Sequence, residues 1–301
     1  MKISLAPNGI FPICRDKDGN RLGNPPATGF NAPGTIQGEG KLAGIPVLFI
    51  RTSGCNLRCV WQMEDGEVSP CDTPYASHQA EEREEWEIGD IVSVLIQNLG
   101  SIRHLVISGG EPTMQPYALV ALAQAVKKEL DLHITLETNG VSFIPRLTDW
   151  IDLFSISPKL KSSEPDMKKN RKLTVPVSQE YIRDHRKTRR NIKTIQNYIN
   201  ACMNLKSYYG DQPDILASRK NNKDFQLKFV ISSEHDIEEI EKDFLAHLNF
   251  VGPQDILLMP VGANRIQLRK SSETAALMAI RYGWRYAPRL HIDLFDDRKD
   301  V

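Results

Sequence analysis

The sequence predicts an α/β fold, an open partial barrel of six parallel strands with an inserted helical and loop segment. Segments of helical apolar spacing separate six short apolar runs, which begin near residues 46, 104, 133, 152, 225 and 255. Strands that alternate with helices are typical of parallel βα units, and six units are too few for a closed eight-fold barrel. Polar motifs follow several of these runs, and the carboxyl ends of barrel strands are where sites form.

Each element has its own local signal. Apolar runs predict strands at 46–50, 104–108, 133–137, 150–157, 225–231, 255–260 and, last, 291–295. Helical spacing predicts helices at 88–99, 117–130, 179–205, 236–248 and 272–282. Asp90 is the expected N-cap of the first helix, Ser232 or Ser233 caps the fourth, and Gly283 ends the fifth.

The rest of the chain departs from this alternation. Residues 1–34 are rich in Gly, Pro and Asn and predict an irregular lead-in. Residues 160–224 predict an insertion, within which 211–222 reads as a mobile loop. Between Lys161 and Lys193 the sequence has eleven Lys or Arg against four Asp or Glu, which fits either a basic partner surface or an ordinary solvated helix. We expect residues 1–301 to form one domain.

Composition narrows the class of protein. The formal net charge is zero, with 38 basic and 38 acidic residues, so no global field favours nucleic acid or a membrane surface. No apolar run approaches the roughly 20 residues of a membrane helix. The five cysteines, an odd number without a secretion signal, indicate the reducing cytoplasm.

Three cysteines cluster directly after the first predicted strand, at Cys55, Cys59 and Cys71. Three thiolates would leave one iron of an iron–sulfur cluster open for a substrate or cofactor. With His78 as a fourth ligand they could instead bind zinc as a Cys3His site. A third alternative is three ordinary buried cysteines.

The motifs around this loop resemble the radical S-adenosylmethionine (SAM) superfamily, and within it the 7-carboxy-7-deazaguanine synthase family. They are Cys-x3-Cys-x-aromatic from Cys55, Thr35-Ile-Gln-Gly-Glu-Gly40, Arg51-x-Ser-Gly-Cys55-Asn-Leu, Cys71-Asp-Thr-Pro-Tyr75, Gly109-Gly-Glu-Pro-Thr113, Ser155-Ile-Ser-Pro-Lys159 and Arg285-Tyr-Ala-Pro-Arg-Leu-His-Ile-Asp293. Two positions depart from that pattern. Gln62 stands where the superfamily has its third cysteine, so residues 62–70 resemble a surface bulge inserted before Cys71, and Met259 replaces a glutamine.

The resemblance implies a set of site residues. A [4Fe–4S] cluster would be held by Cys55, Cys59 and Cys71, and Mg²⁺ by Thr73. The implied SAM-binding residues are Pro70, Asp72, Gly110, Glu111, Glu137, Ser157, Pro158 and Lys159. The implied substrate-binding residues are Ile36, Gln37, Gly38, Glu39, Arg51 and Ser108. No side chain is assigned as the catalytic group, since SAM and the cluster carry the chemistry.

The resemblance also implies an activity. The enzyme would be a radical SAM carbon–nitrogen lyase that contracts 6-carboxy-5,6,7,8-tetrahydropterin to 7-carboxy-7-deazaguanine with loss of ammonia, in queuosine-type 7-deazapurine biosynthesis. A flavodoxin or ferredoxin donor and a homodimer are family expectations. Two alternatives remain at this stage: another radical SAM enzyme, such as a glycyl-radical-enzyme activase, and a non-enzymatic Cys3His zinc protein.

Overall fold

The computed structural model describes residues 1–63, 65–78, 82–204, 219–220 and 222–301. Its strands are β1 (Lys2–Phe11), β2 (Thr35–Ile36), β3 (Pro46–Thr52), β4 (Val60–Gln62), β5 (Val68–Pro70), β6 (Glu84–Glu87), β7 (His104–Gly109), β8 (His133–Thr138), β9 (Leu153–Ile156), β10 (Asp224–Ile231), β11 (Ile256–Pro260) and β12 (Arg285–Tyr286). Its α-helices are α1 (Pro74–Ser77), α2 (Ile88–Asn98), α3 (Pro116–Leu130), α4 (Met167–Asn170), α5 (Gln179–Thr188), α6 (Ile192–Cys202), α7 (His235–Glu239), α8 (Arg265–Tyr282) and α9 (Leu290–Phe295).

The six predicted parallel strands are confirmed. β3, β7, β8, β9, β10 and β11 are parallel neighbours in chain order, and β12 extends the same run. β1 and then β6 add antiparallel strands at the other edge, while β2 pairs with β3 and lies off the main path. The carboxyl ends of the parallel strands therefore share one rim, as the α/β assignment requires.

Alternation along the strands separates the core from the lumen. In β10, Leu227 and Phe229 belong to the main apolar core, whereas Lys228 between them lines a central cavity. Likewise Ile107 and Leu136 are core residues, and their neighbours Ser108 and Glu137 line the cavity. Because side chains alternate between the two faces of a strand, a strand with an apolar outer face can present polar groups inward.

The loop between β2 and β3 plugs the lumen from the opposite rim. Gly40 packs against the Gln226 side chain, which leaves no room there for a Cβ, and its φ is +82°. The Lys41 ammonium lies 2.8 Å from carboxylate oxygens of both Asp224 and Asp255 at the amino ends of β10 and β11. Burial lowers the pKa of Lys41 to about 8 despite these partners.

The prediction of an irregular lead-in is wrong for residues 2–11. They form β1, a ten-residue strand with a buried apolar face that pairs with β3 and β6. The last strand predicted at 291–295 is also wrong, because this segment is helix α9. Its buried residues Ile292 and Phe295 are three apart, which is helical spacing.

Three helix predictions need correction. Residues 179–205 hold two helices, α5 and α6, because Asn191 caps the second one by accepting a hydrogen bond from Thr194 N. The predicted helix 236–248 becomes α7 followed by a π turn and a 3₁₀ turn. The predicted helix 272–282 begins earlier, at Arg265, where Asn264 is the N-cap, and it ends at Gly283 as predicted.

The predicted caps differ as well. Asp90 lies inside the first turn of α2, which begins at Ile88, rather than at its N-cap. Ser232 and Ser233 do not cap α7, because their backbone amides donate instead to the Asp236 carboxylate. The predicted mobile loop at 211–222 falls largely outside the described residues. Among the helices that the structure describes, none has the length and apolarity needed to cross a bilayer.

Candidate active site

A short hairpin explains how a cysteine displaced in sequence reaches the other two. Cys55 and Cys59 lie in the loop after β3, and β4 and β5 then pair antiparallel, with Val60 opposite Pro70. The hairpin returns the chain to its base, where Cys71 N donates to Cys59 O at 3.1 Å. The described residues of the predicted surface bulge at 62–70 thus belong to a hairpin, and all three thiols line one cavity of about 240 Å³.

Apolar side chains surround two of the three thiols, whereas Cys71 Sγ lies beside the hydroxyls of Thr73 and Ser77. Cys59 packs in a cluster with Leu57, Trp61, Met63 and Val261, and Cys55 borders it. Burial raises the pKa of the Cys55 thiol to about 12 and raises that of Cys59 as well. Thiolates in such surroundings need a positive centre to compensate their charge, so the donor set fits an iron–sulfur cluster bound through its irons.

His78, the predicted fourth ligand of a zinc site, does not lie with the three thiols. Within the described ranges, no three His, Cys, Asp or Glu side chains converge closely enough to hold one metal ion. His78 is exposed and does not line the cavity. A cluster places each thiolate on a separate iron and therefore tolerates wider spacing of the sulfurs, whereas a Cys3His zinc site does not.

Glycines bring the loops after β3 and β7 into contact beside the thiols. A Cβ on Gly110 would lie 2.3 Å from Gly54 O, and one on Gly109, whose φ is +152°, would lie equally close to Thr52 O. Only glycine permits this approach, which lets Glu111 N donate to Gly54 O at 2.8 Å.

Glu111 is fully buried and fastens this junction. One of its carboxylate oxygens accepts from Thr113 and Thr138, and the other accepts from Asn139 N at 2.7 Å. Its oxygens are therefore engaged with the protein, although the residue borders the cavity. This arrangement indicates that Glu111 positions the loops rather than presenting a free carboxylate.

Charged side chains that line the same cavity as the thiols form a dense set of ion pairs. Lys228 Nζ lies 2.5 Å from a Glu39 oxygen and 3.4 Å from Glu137. Arg289 lies 2.9 Å from the other Glu39 oxygen and 2.5 Å from Asp72. This set of residues is called the ion-pair wall below.

The electrostatics of the ion-pair wall keep its groups charged. Burial opposes ionisation of Glu39, yet Lys228 and Arg289 outweigh it and hold the pKa of Glu39 well below its usual range. The Arg289 guanidinium likewise keeps the pKa of Asp72 low against burial. Burial lowers the pKa of His291, 3.9 Å from Glu39, so its imidazole stays neutral near pH 7.

Arg51 is held between two aromatic rings. Its guanidinium carbon lies 4.8 Å from the Phe11 ring centre and 5.7 Å from that of Tyr75. It forms no ion pair with any residue in the described part of the chain, and its buried Nε has no hydrogen-bond acceptor there. A planar cation fixed in this way has donors available for a bound carboxylate.

The structure brings the predicted site residues together around one cavity. Those that line it are Ile36, Gln37, Gly38, Glu39, Arg51, Cys55, Cys59, Pro70, Cys71, Asp72, Thr73, Ser108, Gly110, Glu111, Glu137, Ser157 and Lys159. Pro158 is buried between two lining residues and does not itself line the cavity. Met259, at which the sequence departs from the family pattern, also lines it.

Several lining residues carried no predicted role. Lys228 is one: a lone lysine in the apolar run of β10 was a usable signal, because a buried charge requires partners. Arg289 and His291 lie after β12, in a stretch that resembled the family but pointed to no contact. Asn139 follows β8 and donates from its side chain to Asn56 beside Cys55.

The predicted insertion holds the cysteine loop from outside. The buried Lys169 ammonium donates to Val60 O at 2.8 Å and to the carbonyls of Ser162 and Glu164. From α5, His185 Nδ1 accepts from Arg58 N at 3.1 Å, and its other ring nitrogen lies 3.3 Å from Ser163 Oγ. Burial lowers the pKa of His185 to about 4, which keeps the imidazole neutral and able to accept.

Comparison with known proteins agrees with this geometry. The model of the Radical SAM superfamily matches residues 49–212. The chain is 33% identical over 272 residues to 7-carboxy-7-deazaguanine synthase of Halobacterium salinarum, covering 89% of this chain and 90% of that one. It is 31% identical over 263 residues to the synthase of Rhodopirellula baltica, covering 87% and 84%.

A solved structure has the same fold. The crystal structure of QueE from Escherichia coli matches with a TM-score of 0.51 and 21% identity, covering 95% of this chain and 93% of that chain. The superfamily uses a [4Fe–4S] cluster and SAM, for which the three thiols and the cavity beside them are suited. The chain therefore belongs to the radical SAM superfamily and, within it, to the 7-carboxy-7-deazaguanine synthase family of radical SAM lyases.

Proposed function

We propose that this enzyme converts 6-carboxy-5,6,7,8-tetrahydropterin to 7-carboxy-7-deazaguanine with release of ammonia, for queuosine-type 7-deazapurine synthesis. One observation supports the proposal: a single cavity is lined by three thiols, of which Cys59 is buried, and also by the ion-pair wall and Arg51. A polar, carboxylated pterin needs hydrogen-bond partners and a cation, whereas a cluster needs apolar shielding. The cavity offers both the polar partners that the pterin needs and the apolar shielding that the cluster needs.

On the thiol side, Cys55, Cys59 and Cys71 would hold the cluster. With SAM bound, the cluster would supply the one-electron chemistry that starts a radical reaction on the substrate. The protein's task is to orient the ligands and exclude water. The glycine junction at Gly110 would bring backbone polar groups to the SAM amino group, with Pro70 at its edge and Pro158 acting through Ser157 and Lys159, its neighbours that line the cavity.

Lys159 and Ser157 would bind the SAM carboxylate and ribose. Lys159 Nζ donates to Ser157 Oγ at 2.8 Å and forms no ion pair in the described ranges, so its charge is available to a carboxylate. Asp72 and Glu137, at the border between the two sides, would accept from SAM hydroxyl or amino groups. Glu111 would act through the loops that it holds.

On the substrate side, Arg51 would bind the pterin carboxylate. Gln37 and Glu39, with the backbone of Ile36 and Gly38, would take the donors and acceptors of the pterin ring, and Ser108 would act with Glu137, to which it donates at 2.8 Å. Thr73 would bind Mg²⁺, an ion that prefers oxygen ligands and would orient the carboxylate. In the structure Thr73 Oγ1 lies 3.6 Å from Cys71 Sγ, at the edge of the thiol group.

Three further assignments complete the proposal. A flavodoxin or ferredoxin would donate the electron, the enzyme would form a homodimer, and it would work in the cytoplasm, where its free cysteines stay reduced. A glycyl-radical-enzyme activase would share the thiols and the SAM side. The ion-pair wall and the aromatic clamp on Arg51 favour a small carboxylated substrate instead.

An anaerobic assay tests the proposal. The protein, reconstituted with iron and sulfide, is incubated with SAM, dithionite, Mg²⁺ and 6-carboxytetrahydropterin, and products are identified by mass spectrometry. We expect 7-carboxy-7-deazaguanine and ammonia in equal amounts. Cleavage of SAM without conversion of the pterin would contradict the proposed substrate and favour an activase.

A further inference from the structure

The outer face of the inserted segment is both basic and apolar. Lys168, Arg171, Arg183 and Lys187 are exposed and make no ion pair with any described residue, and they outnumber Glu180 and Asp184, the exposed carboxylates of α5. Met167, Val175 and Tyr181 on the same segment are 56%, 57% and 46% exposed. Exposed apolar residues ringed by charges are typical of protein–protein interfaces. The four cations and the three apolar residues are together called the basic face below.

The basic face is one continuous surface. Asn170, at the end of α4, exchanges hydrogen bonds with Val177, and Gln179 at the start of α5 donates to Met167 Sδ at 2.9 Å. These contacts join the two helices that carry its charges. The chain as a whole has no net charge, so this positive surface is a local feature rather than part of a global field.

The inner side of the same segment contacts the cysteine loop. His185 accepts from Arg58 N, Lys169 donates to Val60 O, and the Arg58 guanidinium lies 4.2 Å from the Tyr181 ring centre. The basic face therefore lies on the outer side of a helical layer, roughly 10 Å thick, whose inner side contacts the loop that carries Cys55 and Cys59. A redox protein bound here would bring its cofactor close to the cluster, which electron transfer requires.

We propose that the basic face docks an acidic one-electron donor protein, a reduced flavoprotein or iron–sulfur protein; this rests on the proposed function. One electron passes from the donor to the cluster held by Cys55, Cys59 and Cys71, the donor is oxidised by one electron, and no group or proton moves. Met167, Val175 and Tyr181 supply the apolar contact, and the four cations align the acidic partner.

Other occupants fit less well. A second copy of the chain using this face symmetrically would place like charges against each other. A single-stranded nucleic acid would find little to stack on, because Arg58 covers one face of Tyr181, and Met167 and Val175 have no ring. A duplex would contact the four cations through its phosphates but would leave these apolar side chains without a partner. An acidic protein satisfies both the charges and the apolar residues.

The test reverses the charges without touching the cavity. The variant K168E/R183E/K187E is compared with R103E/K128E/R146E, which makes the same charge change at exposed positions outside the basic face. Binding of an acidic flavodoxin is titrated by calorimetry at low and high salt. We expect the first variant to bind about tenfold or more weakly at low salt, the control to bind like wild type, and the difference to shrink at high salt.

Activity provides a second readout that separates the two proposals. With dithionite as reductant, both variants should turn over within about twofold of wild type, whereas reduced flavodoxin should support the K168E/R183E/K187E variant about tenfold less well. If wild type fails with dithionite, the proposed function fails while the binding result still stands.

Three outcomes would overturn the docking proposal. They are equal flavodoxin binding by both triple variants, a change of oligomeric state in the first one, and loss of tRNA binding while flavodoxin binding persists. V175D guards against misfolding of the triple variant, because it removes an apolar contact at an exposed position. It should weaken flavodoxin binding while its circular dichroism matches wild type, and unchanged binding would count against the proposal.

Discussion

The thiol side and the ion-pair wall of the cavity offer a ligand opposite surroundings. The thiol side is apolar. Its polar contacts lie on the outer side of the cysteine loop, where Lys169 and His185 form hydrogen bonds with the backbone of that loop. The ion-pair wall faces the lumen directly and satisfies its charges within itself. Apolar shielding suits a cluster that must be kept from water, and fixed charges suit a polar substrate. We therefore expect substitutions on the two sides to have different effects: loss of iron and activity at the thiols, and loss of folding stability at the ion-pair wall.

Removing a thiol should have the largest effect. In Cys71→Ala the cluster would lose a ligand, so we expect iron and sulfide content to collapse and pterin conversion to fall by about three orders of magnitude or more. Cys14→Ala is the matched control, because Cys14 is a free, half-buried thiol away from the cavity. Iron analysis and the anaerobic assay measure both. Retained iron in Cys71→Ala would remove Cys71 from the ligand set.

Breaking the ion-pair wall should cost stability before any ligand binds. Arg289→Met leaves Glu39 and Asp72 without one of their cations, so we expect the free energy of unfolding to drop by about 3 kcal/mol. Arg285→Met, an exposed arginine on the same connection, is the control. Urea unfolding of the metal-free protein measures the change. Adding Glu39→Gln should recover part of the loss, and no recovery would mean that the two residues are not energetically coupled.

Removing the lysine behind the cysteine loop should have a smaller effect. Lys169→Met deprives three carbonyls of their donor and should lower the free energy of unfolding by about 2 kcal/mol, with reduced iron retention. Lys270→Met also removes a hairpin contact, but that ammonium pairs with Asp65 and Glu67 in solvent. Exposed ion pairs are screened, so the control should unfold like wild type. Equal unfolding of the two variants would show that burial of Lys169 is unimportant.

Acid should weaken the support of the cysteine loop slightly. The folded-state pKa of His185, about 4, is below its ordinary value of 6.5, so the unfolded chain takes up the proton first. The stability that neutral His185 contributes is therefore complete above pH 6.5 and is lost as pH falls toward 4. Between pH 7 and 5.5 we expect a loss of about 1 kcal/mol. In His185→Gln this part of the pH dependence should vanish, as urea unfolding of the metal-free protein can measure.

Local sequence patterns predicted the parallel strands well. They misassigned those elements whose secondary structure depends on tertiary packing. The strands from β3 to β11 were predictable because each apolar run is buried in the sheet and flanked by turn residues. β1 was missed because its run, Lys2–Phe11, contains a proline, an asparagine and a glycine, and only pairing with β3 makes it a strand. The segment 290–295 has apolar residues at both helical and strand spacing, and only the buried pair Ile292 and Phe295 distinguishes the two.

Three features of the site are evident in the amino-acid order alone: a loop with three thiols, glycines that permit close backbone approach, and polar positions that alternate with core residues. Each of these features depends on residues that are close together in the sequence, so it can be recognised without knowledge of the fold. The tertiary structure alone decided the pairings, such as Lys228 with Glu39 and Arg289 with Asp72, whose partners lie 189 and 217 residues apart. Such contacts exist only because the parallel strands curve around one lumen, and no local periodicity encodes which side chains meet across it.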